Sequence, residues 1–308
     1  MSVANGSTET ATTVTADPPG YVGRFAPSPT GALHLGSLLA AVGSYVDARA
    51  NGGRWLLRIE DIDTPRVVPD SADDILRTLE HFGLQWDGPV EYQSRRTDRY
   101  VAALSELRER GLAYECSCSR REIGDSKDGV YAGTCRNKPK KPGPTSIRMR
   151  MDDSKVVHFT DRIQGECSQE LNTMGDVVIR RRDGLFAYQL AVVVDDYDQA
   201  VTDIVRGADL LPSTAWQIEL RTALNLPSVR YAHLPLLVEA DGTKLAKSKR
   251  SVPIDPAQAG PLILKVLRFL KMSPPLDLEP TPAIALAWAT QNWRLDNLRG
   301  IHSVPLTL

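Results

Sequence analysis

The chain has 308 residues, of which 42% are hydrophobic and 24% are charged. This is enough apolar material for a buried core, and the length fits one large or two modest domains. Lys and Arg number 37 against 38 Asp and Glu, giving a formal net charge of -1. The balance excludes a histone-like binder that relies on overall positive charge, so any contact with nucleic acid has to come from local basic patches.

The composition also bears on location. Residues 1–20 are rich in Thr, Ser, Ala and Pro and lack the cationic start and apolar core of a signal peptide, so they predict a disordered tail. No run approaches the ~18 apolar residues of a membrane span. Three of the four Cys lie between Cys116 and Cys135, which favours a metal site in a reducing compartment over a secreted disulfide framework. We therefore expect a cytoplasmic protein without a membrane partner.

The first third predicts strands alternating with helices. Residues 21–25 suit a buried strand, a Pro/Gly segment breaks it, and apolar residues recur at helical spacing from Leu35. Residues 54–63 predict a strand that ends in acids. Residues 70–84 predict a helix with Asp70 or Ser71 as its N-cap. This alternation predicts a parallel α/β sheet.

The middle of the chain is less regular. An amphipathic helix is predicted over residues 94–114, and RNKPKKPGP (136–144) is a basic, proline-rich loop. The apolar run 190–194 predicts a central buried strand that ends in Asp195 and Asp196, and residues 211–226 predict a helix. The α/β core is therefore expected to be split by an insertion of roughly a hundred residues.

The last part predicts a strand and a turn at Asp241-Gly242, and then a basic loop. Residues 262–270 predict a helix, residues 272–282 a proline-rich linker, and residues 283–298 a final helix. The two Trp of this final helix, Trp288 and Trp293, are expected in the core. No internal repeat is present.

A histidine marks the seam between the first strand and the first helix, in GRFAPSPTGALHLGSLLAA (23–41). A helix N-terminus presents unpaired N–H groups, and Gly31 and Gly36 would let a phosphate approach the main chain. His34 could donate to phosphate oxygens and stabilise negative charge on an attacked phosphate. The alternative is that His34 caps the helix and that Gly36 permits close packing of helix on sheet. This segment alone does not decide between them.

The second cationic feature is KLAKSKR (244–250), with four cations in seven residues after a turn. Lys ammonium groups suit phosphate, and such a loop could close over a triphosphate. The alternative is an ordinary solvated basic loop.

Together these segments resemble a known family. RFAPSPTGALHLGS is similar to the HIGH region of class I aminoacyl-tRNA synthetases, and KLAKS is similar to their KMSKS loop. The glutamyl-tRNA synthetase branch matches best, because RIEDIDTPR, YQLAVVVDD and IVRGADLL lie between them in that branch's order. The resemblance implies a ligase with a Rossmann-type nucleotide-binding fold.

The resemblance also implies roles for individual residues. His34, Gly36 and Lys247 would contact ATP, Lys247 would stabilise the pentavalent phosphate, and Lys244 would help to hold the loop. Ser37, also in the catalytic set, stands where the signature has a second His.

The resemblance implies a glutamate pocket as well. A γ-carboxylate requires a guanidinium, for which Arg24 and Arg206 are the candidates, and an α-ammonium requires an acid, for which Glu60 is the candidate. The implied pocket consists of Arg24, Ser28, Glu60, Tyr188 and Arg206. Taken alone, Arg206 could be a surface cation and Tyr188 a core aromatic.

Cys116, Cys118 and Cys135 place three thiols within twenty residues, where Zn²⁺ needs a fourth ligand. General ligand frequencies favour His158 or Cys167. The pattern CSC…VYAGTC is, however, similar to that of glutamyl-queuosine tRNA(Asp) synthetases, whose site has two Cys, a Tyr and a Cys, and this points to Tyr131. We expect one structural Zn²⁺, next to a basic segment (136–141) that contacts RNA. The alternative is three reduced thiols without a metal.

The domains follow from these assignments. We expect a tail (1–20), a first half of the Rossmann-type catalytic domain (21–93), an insertion with the zinc subdomain (94–189), a second half with the KMSKS-like loop (190–250) and a short helical region without an anticodon-binding domain (251–308).

The resemblance implies that ATP, with Mg²⁺, activates L-glutamate to glutamyl-adenylate. The glutamate is then transferred to the queuosine base in the anticodon of tRNA(Asp), by a monomer. The alternatives are a short glutamyl-tRNA synthetase that charges a tRNA 3′ end, and a catalytically silent tRNA-binding paralogue.

Overall fold

The protein is described by a computed structural model that covers residues 20–124, 130–138, 141–239 and 252–306. The predicted tail, apart from Gly20, and the KLAKSKR segment lie outside the described residues. The helices of this part are α1 (Leu35–Ala50), α2 (Ser71–His81), α3 (Thr97–Glu109), α4 (Arg120–Gly124), α5 (Tyr188–Asp198), α6 (Thr214–Ala223), α7 (Ala259–Phe269) and α8 (Pro282–Asn292). The strands are β1 (Val22–Phe25), β2 (Arg54–Ile59), β3 (Glu91–Tyr92), β4 (Ala113–Cys116), β5 (Ser146–Met149), β6 (Val156–Asp161), β7 (Gly165–Glu170), β8 (Val178–Arg180), β9 (Asp203–Gly207), β10 (Arg230–Leu234), β11 (Leu236–Val238) and β12 (Ser303–Pro305).

Two sheets carry most of the parallel strands. In the first, β1, β2 and β3 are parallel neighbours, and Arg24 lies opposite Leu56. In the second the order is β7-β6-β10-β9, with β6, β10 and β9 parallel and β7 antiparallel to β6. Thr202, just before β9, joins the two sheets, because its N–H donates to the Val22 carbonyl at 2.9 Å. The predicted α/β architecture is confirmed, with sheets that are mixed and not purely parallel.

The remaining strands form smaller sheets. β4, β5 and β8 are antiparallel, and β11 pairs in parallel with β12. The strands β3 to β9 and β12 were not predicted from the sequence.

Two apolar cores stabilise these layers. One packs α1 between β1, β2, α2, α7 and α8, and it includes Trp293 as predicted, with Trp288 half-buried against it. The other lies between α3, α5, α6 and the β5–β8 pair. Both cores are close-packed apolar clusters of the kind that supplies the main favourable free energy of folding.

The strand predicted from the run 190–194 is wrong, because these residues lie within α5. The helix is buried on several sides at once, so its apolar residues show no helical period. Asp195 and Asp196, predicted to end a strand, are buried in the same helix. Asp195 accepts hydrogen bonds from Gln93 and Tyr100 and is ion-paired with Arg96 at 2.7 Å.

Of the two predicted N-cap residues of α2, Asp70 occupies the N-cap position and Ser71 is the first residue of the helix. Asp70 has a left-handed backbone, with φ 60°, and its side chain makes no capping hydrogen bond. The hydroxyl of Ser71, the first residue of the helix, accepts from the Gly31 N–H at 3.1 Å and donates to the Gly31 carbonyl at 2.9 Å. Gly31 itself has φ 134°, a region that favours glycine. Ser71 thus holds the loop that precedes α1.

Asp47 in α1 joins distant parts of the chain. Its buried carboxylate accepts from the hydroxyl of Tyr21 at 2.5 Å, from Arg162 at 2.7 Å and from the indole of Trp293 at 2.8 Å. Segments from both ends of the chain and from the predicted insertion therefore meet at one carboxylate. Among the described residues, no helix has the length and apolar character needed to span a membrane.

Candidate active site

His34 caps the N-terminus of α1. Its Nδ1 accepts from the backbone N–H groups of Gly36 at 3.1 Å and Ser37 at 3.2 Å. The Ser37 hydroxyl accepts from the His34 N–H at 2.8 Å and donates to the His34 carbonyl at 2.7 Å. The capping alternative is therefore confirmed. Because Nδ1 is an acceptor, the proton of the neutral ring is on Nε2, which then acts as a donor.

Gly36 makes room for this cap. A Cβ at this position would lie 3.1 Å from Cε1 and 3.2 Å from Nδ1 of the His34 ring. The glycine thus accommodates the imidazole and not, as the alternative held, a close contact between helix and sheet.

The chain that follows the basic loop returns to this helix. Pro253 bridges to His34 across an antiparallel pair, and the Ile254 N–H donates to the Leu33 carbonyl at 3.0 Å. Lys244 and Lys247 themselves lie outside the described residues. The connection joins the end of their segment to the N-terminus of α1.

Four of the five implied glutamate-pocket residues lie together. Arg24 and Arg206 are on β1 and β9, and Glu60 follows β2, so that all three lie toward the carboxyl ends of these strands. They are 3%, 5% and 8% exposed, respectively. Burial raises the pKa of Tyr188, at the start of α5, to about 12, with Glu60 adding to the rise and Arg206 and Arg24 opposing it. Ser28, the fifth, is exposed in the loop after β1.

Arg24 already has a carboxylate partner. Its Nε lies 3.1 Å from Asp196, and Arg58 lies 2.9 Å from the same carboxylate. Burial opposes ionisation of Asp196, but the two guanidinium groups outweigh it and lower the pKa of that carboxyl. Arg58 is fully buried and also lies 3.2 Å from Glu60. Arg58 and Asp196 were not predicted as pocket residues, although both lie inside the segments RIEDIDTPR and YQLAVVVDD that carry the resemblance.

The pKa of the Glu60 carboxyl lies near neutral pH. Burial raises the pKa of its carboxyl to about 7, although Arg58 and Arg24 favour the ionised form. An ammonium group next to it would further stabilise the carboxylate.

Arg206 differs from Arg24 in its partners. Its Nε donates to His233 at 3.0 Å, its Nη1 to Gln217 at 2.7 Å and its Nη2 to the Thr214 hydroxyl at 3.0 Å. All three are neutral acceptors, and no carboxylate of the described chain forms an ion pair with this buried guanidinium. The alternative of a surface cation is therefore wrong.

The three cysteines converge at the end of β4. The sulfur atoms of Cys116, Cys118 and Cys135 lie within 4.8 Å of one another, and those of Cys118 and Cys135 are 3.4 Å apart. Burial opposes ionisation of Cys135, but hydrogen bonds, first from the Ser117 backbone, lower the pKa of its thiol to about 7. Burial, together with the hydrogen bond to Cys135, raises the pKa of the Cys118 thiol to about 12, so the convergence of the three sulfur atoms and not their acidity is the evidence for a metal site. The cluster fits a metal ion with thiolate ligands.

Tyr131 is the fourth group at this cluster. Its hydroxyl accepts from the Cys135 N–H at 2.8 Å and hydrogen-bonds Cys116. His158 is exposed on β6, and Cys167 donates to the Gly165 carbonyl at 3.6 Å on β7. Within the described ranges, neither of these two residues belongs to the cysteine cluster.

The basic segment beside the cysteines is partly neutralised. Arg136 donates to both oxygens of Asp176 at 2.6 Å and to Asp153 at 2.8 Å, and Lys141 pairs with Glu122. Within the described part of this segment, an RNA phosphate would therefore compete with existing carboxylate partners for Arg136 and Lys141.

Comparison with known proteins identifies the family. Residues 21–260 match the family described as "tRNA synthetases class I (E and Q), catalytic domain". A relative from Ectopseudomonas mendocina, named Glutamyl-Q tRNA(Asp) synthetase, is 54% identical over 89% of this chain and 93% of its own. One of the same name from Pseudomonas putida (strain KT2440 among its designations) is 51% identical over 92% of this chain and 95% of its own.

Solved structures agree. A glutamate tRNA ligase from Elizabethkingia meningosepticum, solved with its amino acid, superposes with a TM-score of 0.77 at 27% identity, over 94% of this chain and 67% of that one. A glutamate-tRNA synthetase from Elizabethkingia anophelis gives a TM-score of 0.78 at 28% identity, over 92% of this chain and 68% of that one. The chain therefore belongs to the class I tRNA synthetases (E and Q), in the branch of the glutamyl-Q tRNA(Asp) synthetases.

Proposed function

We propose that this protein activates L-glutamate with ATP to glutamyl-adenylate and transfers the glutamate to the queuosine base in the anticodon of tRNA(Asp). The choice of glutamate is supported by the pocket, and the choice of acceptor by the name of relatives with about half of their residues identical.

The observation that carries the proposal is the buried, carboxylate-free guanidinium of Arg206. A buried charge is costly unless it is paired, so such a group favours a ligand that brings the missing negative charge. A γ-carboxylate meets this requirement and a γ-amide does not. The negatively charged carboxylate of Glu60 would bind the positively charged α-ammonium group of glutamate.

The first step is an in-line displacement at the α-phosphate of ATP. An oxygen of the glutamate α-carboxylate attacks phosphorus, the bond to the bridging oxygen breaks, and pyrophosphate leaves. The Nε2–H of His34, the N–H groups at the start of α1 and Lys247 would stabilise the charge that develops on the phosphate oxygens. Mg²⁺ bound with ATP supplies further neutralisation of the phosphates.

In the second step a hydroxyl of the queuosine cyclopentene-diol attacks the acyl carbon of the adenylate. The bond from this carbon to the phosphate oxygen breaks, AMP leaves, and the attacking hydroxyl loses its proton. No covalent enzyme intermediate is needed, so the protein contributes placement and electrostatic stabilisation.

We propose that the metal is one structural Zn²⁺, held by Cys116, Cys118, Tyr131 and Cys135. Four protein ligands would complete a tetrahedron and leave no position for substrate, so the ion would brace the insertion. The domain boundaries given above, and a cytoplasmic monomer, remain part of the proposal.

The test is transfer of labelled glutamate, with ATP and Mg²⁺, to tRNA from cells that make queuosine and from cells that do not. Labelling of queuosine-containing tRNA alone supports the proposal. Equal labelling of both would instead support a synthetase that charges the 3′ end. Absence of labelling together with absence of glutamate-dependent pyrophosphate exchange would support a silent paralogue.

A further inference from the structure

Three buried side chains form a line across three adjacent strands. Asp161 ends β6, His233 lies on β10, and Arg206 lies on β9, with β10 between the other two strands. His233 and Arg206 are direct partners in the parallel register, and Tyr231, two residues before His233, is the partner of Asp161. The strand order therefore places a carboxylate, an imidazole and a guanidinium next to one another in space, in that order.

The hydrogen bonds define the state of the imidazole. The Nδ1 of His233 lies 2.6 Å from Asp161 Oδ2, and its Nε2 lies 3.0 Å from the Nε of Arg206, which can only donate. Nδ1 therefore carries the proton and Nε2 accepts. The other oxygen of Asp161 is held by the backbone N–H groups of Ile163 and Gln164 at 3.0 and 2.8 Å. Burial and the charge of Arg206 outweigh Asp161 and lower the pKa of His233, in keeping with a neutral ring.

We propose that His233, oriented by Asp161, is a positioning residue that holds Arg206 for the γ-carboxylate of glutamate. This inference rests on the proposed function.

With Nε on His233, Nη1 on Gln217 and Nη2 on Thr214, three of the five guanidinium donors are engaged at 3.0 Å or less. Each terminal nitrogen keeps one more N–H, and within the described ranges that of Nη2 meets only the Leu210 carbonyl at 3.4 Å. Two further N–H groups, one on each terminal nitrogen, match the number that the two oxygens of a carboxylate can accept.

The choice of a neutral acceptor is what makes the arrangement selective. A carboxylate at position 233 would orient Arg206 equally well, but it would neutralise the charge that the substrate has to balance. Asp161 instead orients the His233 ring, and the ring separates the Asp161 carboxylate from the Arg206 guanidinium. The site thus keeps a rigid and unneutralised cation, which favours glutamate over glutamine.

The test uses two matched amides at position 233. In His233→Asn the amide nitrogen can replace Nδ1 and keep the bond to Asp161, but nothing replaces Nε2. In His233→Gln the longer side chain can place its oxygen near Nε2 and accept from Arg206. Glutamate-dependent pyrophosphate exchange, with tRNA present, gives KM for glutamate, KM for ATP and kcat. Glutamate-induced thermal stabilisation gives binding independently.

We expect His233→Asn to raise KM for glutamate roughly tenfold or more, the usual consequence of losing a hydrogen bond to a charged group. The kcat and the KM for ATP should change little, and His233→Gln should recover most of the loss in KM. His158→Asn, at an exposed position of β6, is the matched control and should behave as wild type. Equal KM values for the two His233 variants, or a fall in kcat alone, would overturn the inference.

Asp161→Asn tests the same line without altering the histidine. The amide can donate to Nδ1, which moves the imidazole proton to Nε2 and removes the acceptor for Arg206. It should raise KM for glutamate as His233→Asn does, and an unchanged KM would contradict the inference even if the His233 variants fail to fold. If the wild-type enzyme itself shows no glutamate-dependent exchange, the proposed function fails, which is a distinct outcome.

Discussion

The Nε of Arg24 lies 3.1 Å from a carboxylate oxygen of Asp196, and both side chains are almost completely buried. The two arginines that are equivalent carboxylate candidates on the sequence are thereby distinguished. The charge of Arg24 is balanced within the protein, whereas that of Arg206 meets neutral acceptors among the described residues. The structure thus favours Arg206 as the guanidinium that a substrate carboxylate engages.

Arg206→Ala should therefore weaken glutamate binding. We expect KM for glutamate to rise roughly thirtyfold or more, because truncating one partner of a buried charge pair costs about 2–5 kcal/mol. The KM for ATP should stay near its wild-type value. Pyrophosphate exchange at varied glutamate measures both, and an unchanged glutamate KM would remove Arg206 from the pocket.

Asp196→Asn should instead destabilise the fold. Two buried guanidinium groups, Arg24 and Arg58, would lose their shared carboxylate, and breaking a buried pair in this way costs about 3–5 kcal/mol. Urea denaturation measures the free energy of unfolding. Asp183→Asn, which breaks the more exposed pair with Arg181, is the control and should cost about 1 kcal/mol or less. Equal effects of the two substitutions would contradict the assignment.

The pH dependence should follow Glu60. The carboxylate form binds the α-ammonium, and burial raises its pKa to about 7. The kcat/KM for glutamate, which reports on the free enzyme, should therefore fall about tenfold for each pH unit below 7. Glu60→Gln should give a lower value without this acid limb. A limb that persists in Glu60→Gln would assign it to another group.

Removal of a metal ligand should separate Tyr131 from its alternatives. We expect about one zinc per chain in the purified protein, measured by elemental analysis. Cys135→Ser and Tyr131→Phe should weaken zinc binding by more than the roughly 10–100-fold that loss of an outer hydrogen-bond partner costs. His158→Ala and Cys167→Ser should retain the metal. The wild-type protein should also keep its zinc when it is dialysed without a chelator. Loss of zinc from His158→Ala with retention in Tyr131→Phe would reverse the ligand assignment.

Lys247→Ala should slow adenylate formation with little effect on glutamate binding. Losing one donor to a developing phosphate charge costs ~3–4 kcal/mol, or a factor of roughly a hundred to a thousand in rate. Single-turnover adenylate formation measures the rate, and glutamate-induced thermal stabilisation measures binding. Wild-type pyrophosphate exchange in this variant would contradict the role of the loop.

The sequence predicted the helices and strands that carry a clear period or a clear break. α1 begins at Leu35 as predicted, and α7 lies close to its predicted bounds, because apolar spacing and flanking breakers agree there. α5 did not, since a helix that is buried on several faces loses the amphipathic pattern and looks like a buried strand. A short pairing such as β12 has no local signal, because its partner β11 is more than sixty residues away.

The candidate site, too, could be predicted from the sequence only in part. Motif resemblance identified Arg24, Glu60, Tyr188 and Arg206 together, but it could not say which arginine is already neutralised. That depends on Asp196, which the strand prediction had put in the wrong kind of element. His233 was missed because its role depends on strand order, which brings β10 between β6 and β9. The pairing of strands that are distant in the chain cannot be predicted from any one segment of the sequence.

The carboxylate of Asp47 has a consequence for how the polypeptide is made. Its indole partner, Trp293, lies 246 residues further along the chain. During synthesis this carboxylate can therefore meet Tyr21 and Arg162 well before Trp293 has been added to the chain. Contacts of such sequence separation slow folding, because the loop must close before they form. We expect the Trp293 hydrogen bond to be among the last contacts of this core to form, after those that Asp47 makes with Tyr21 and Arg162.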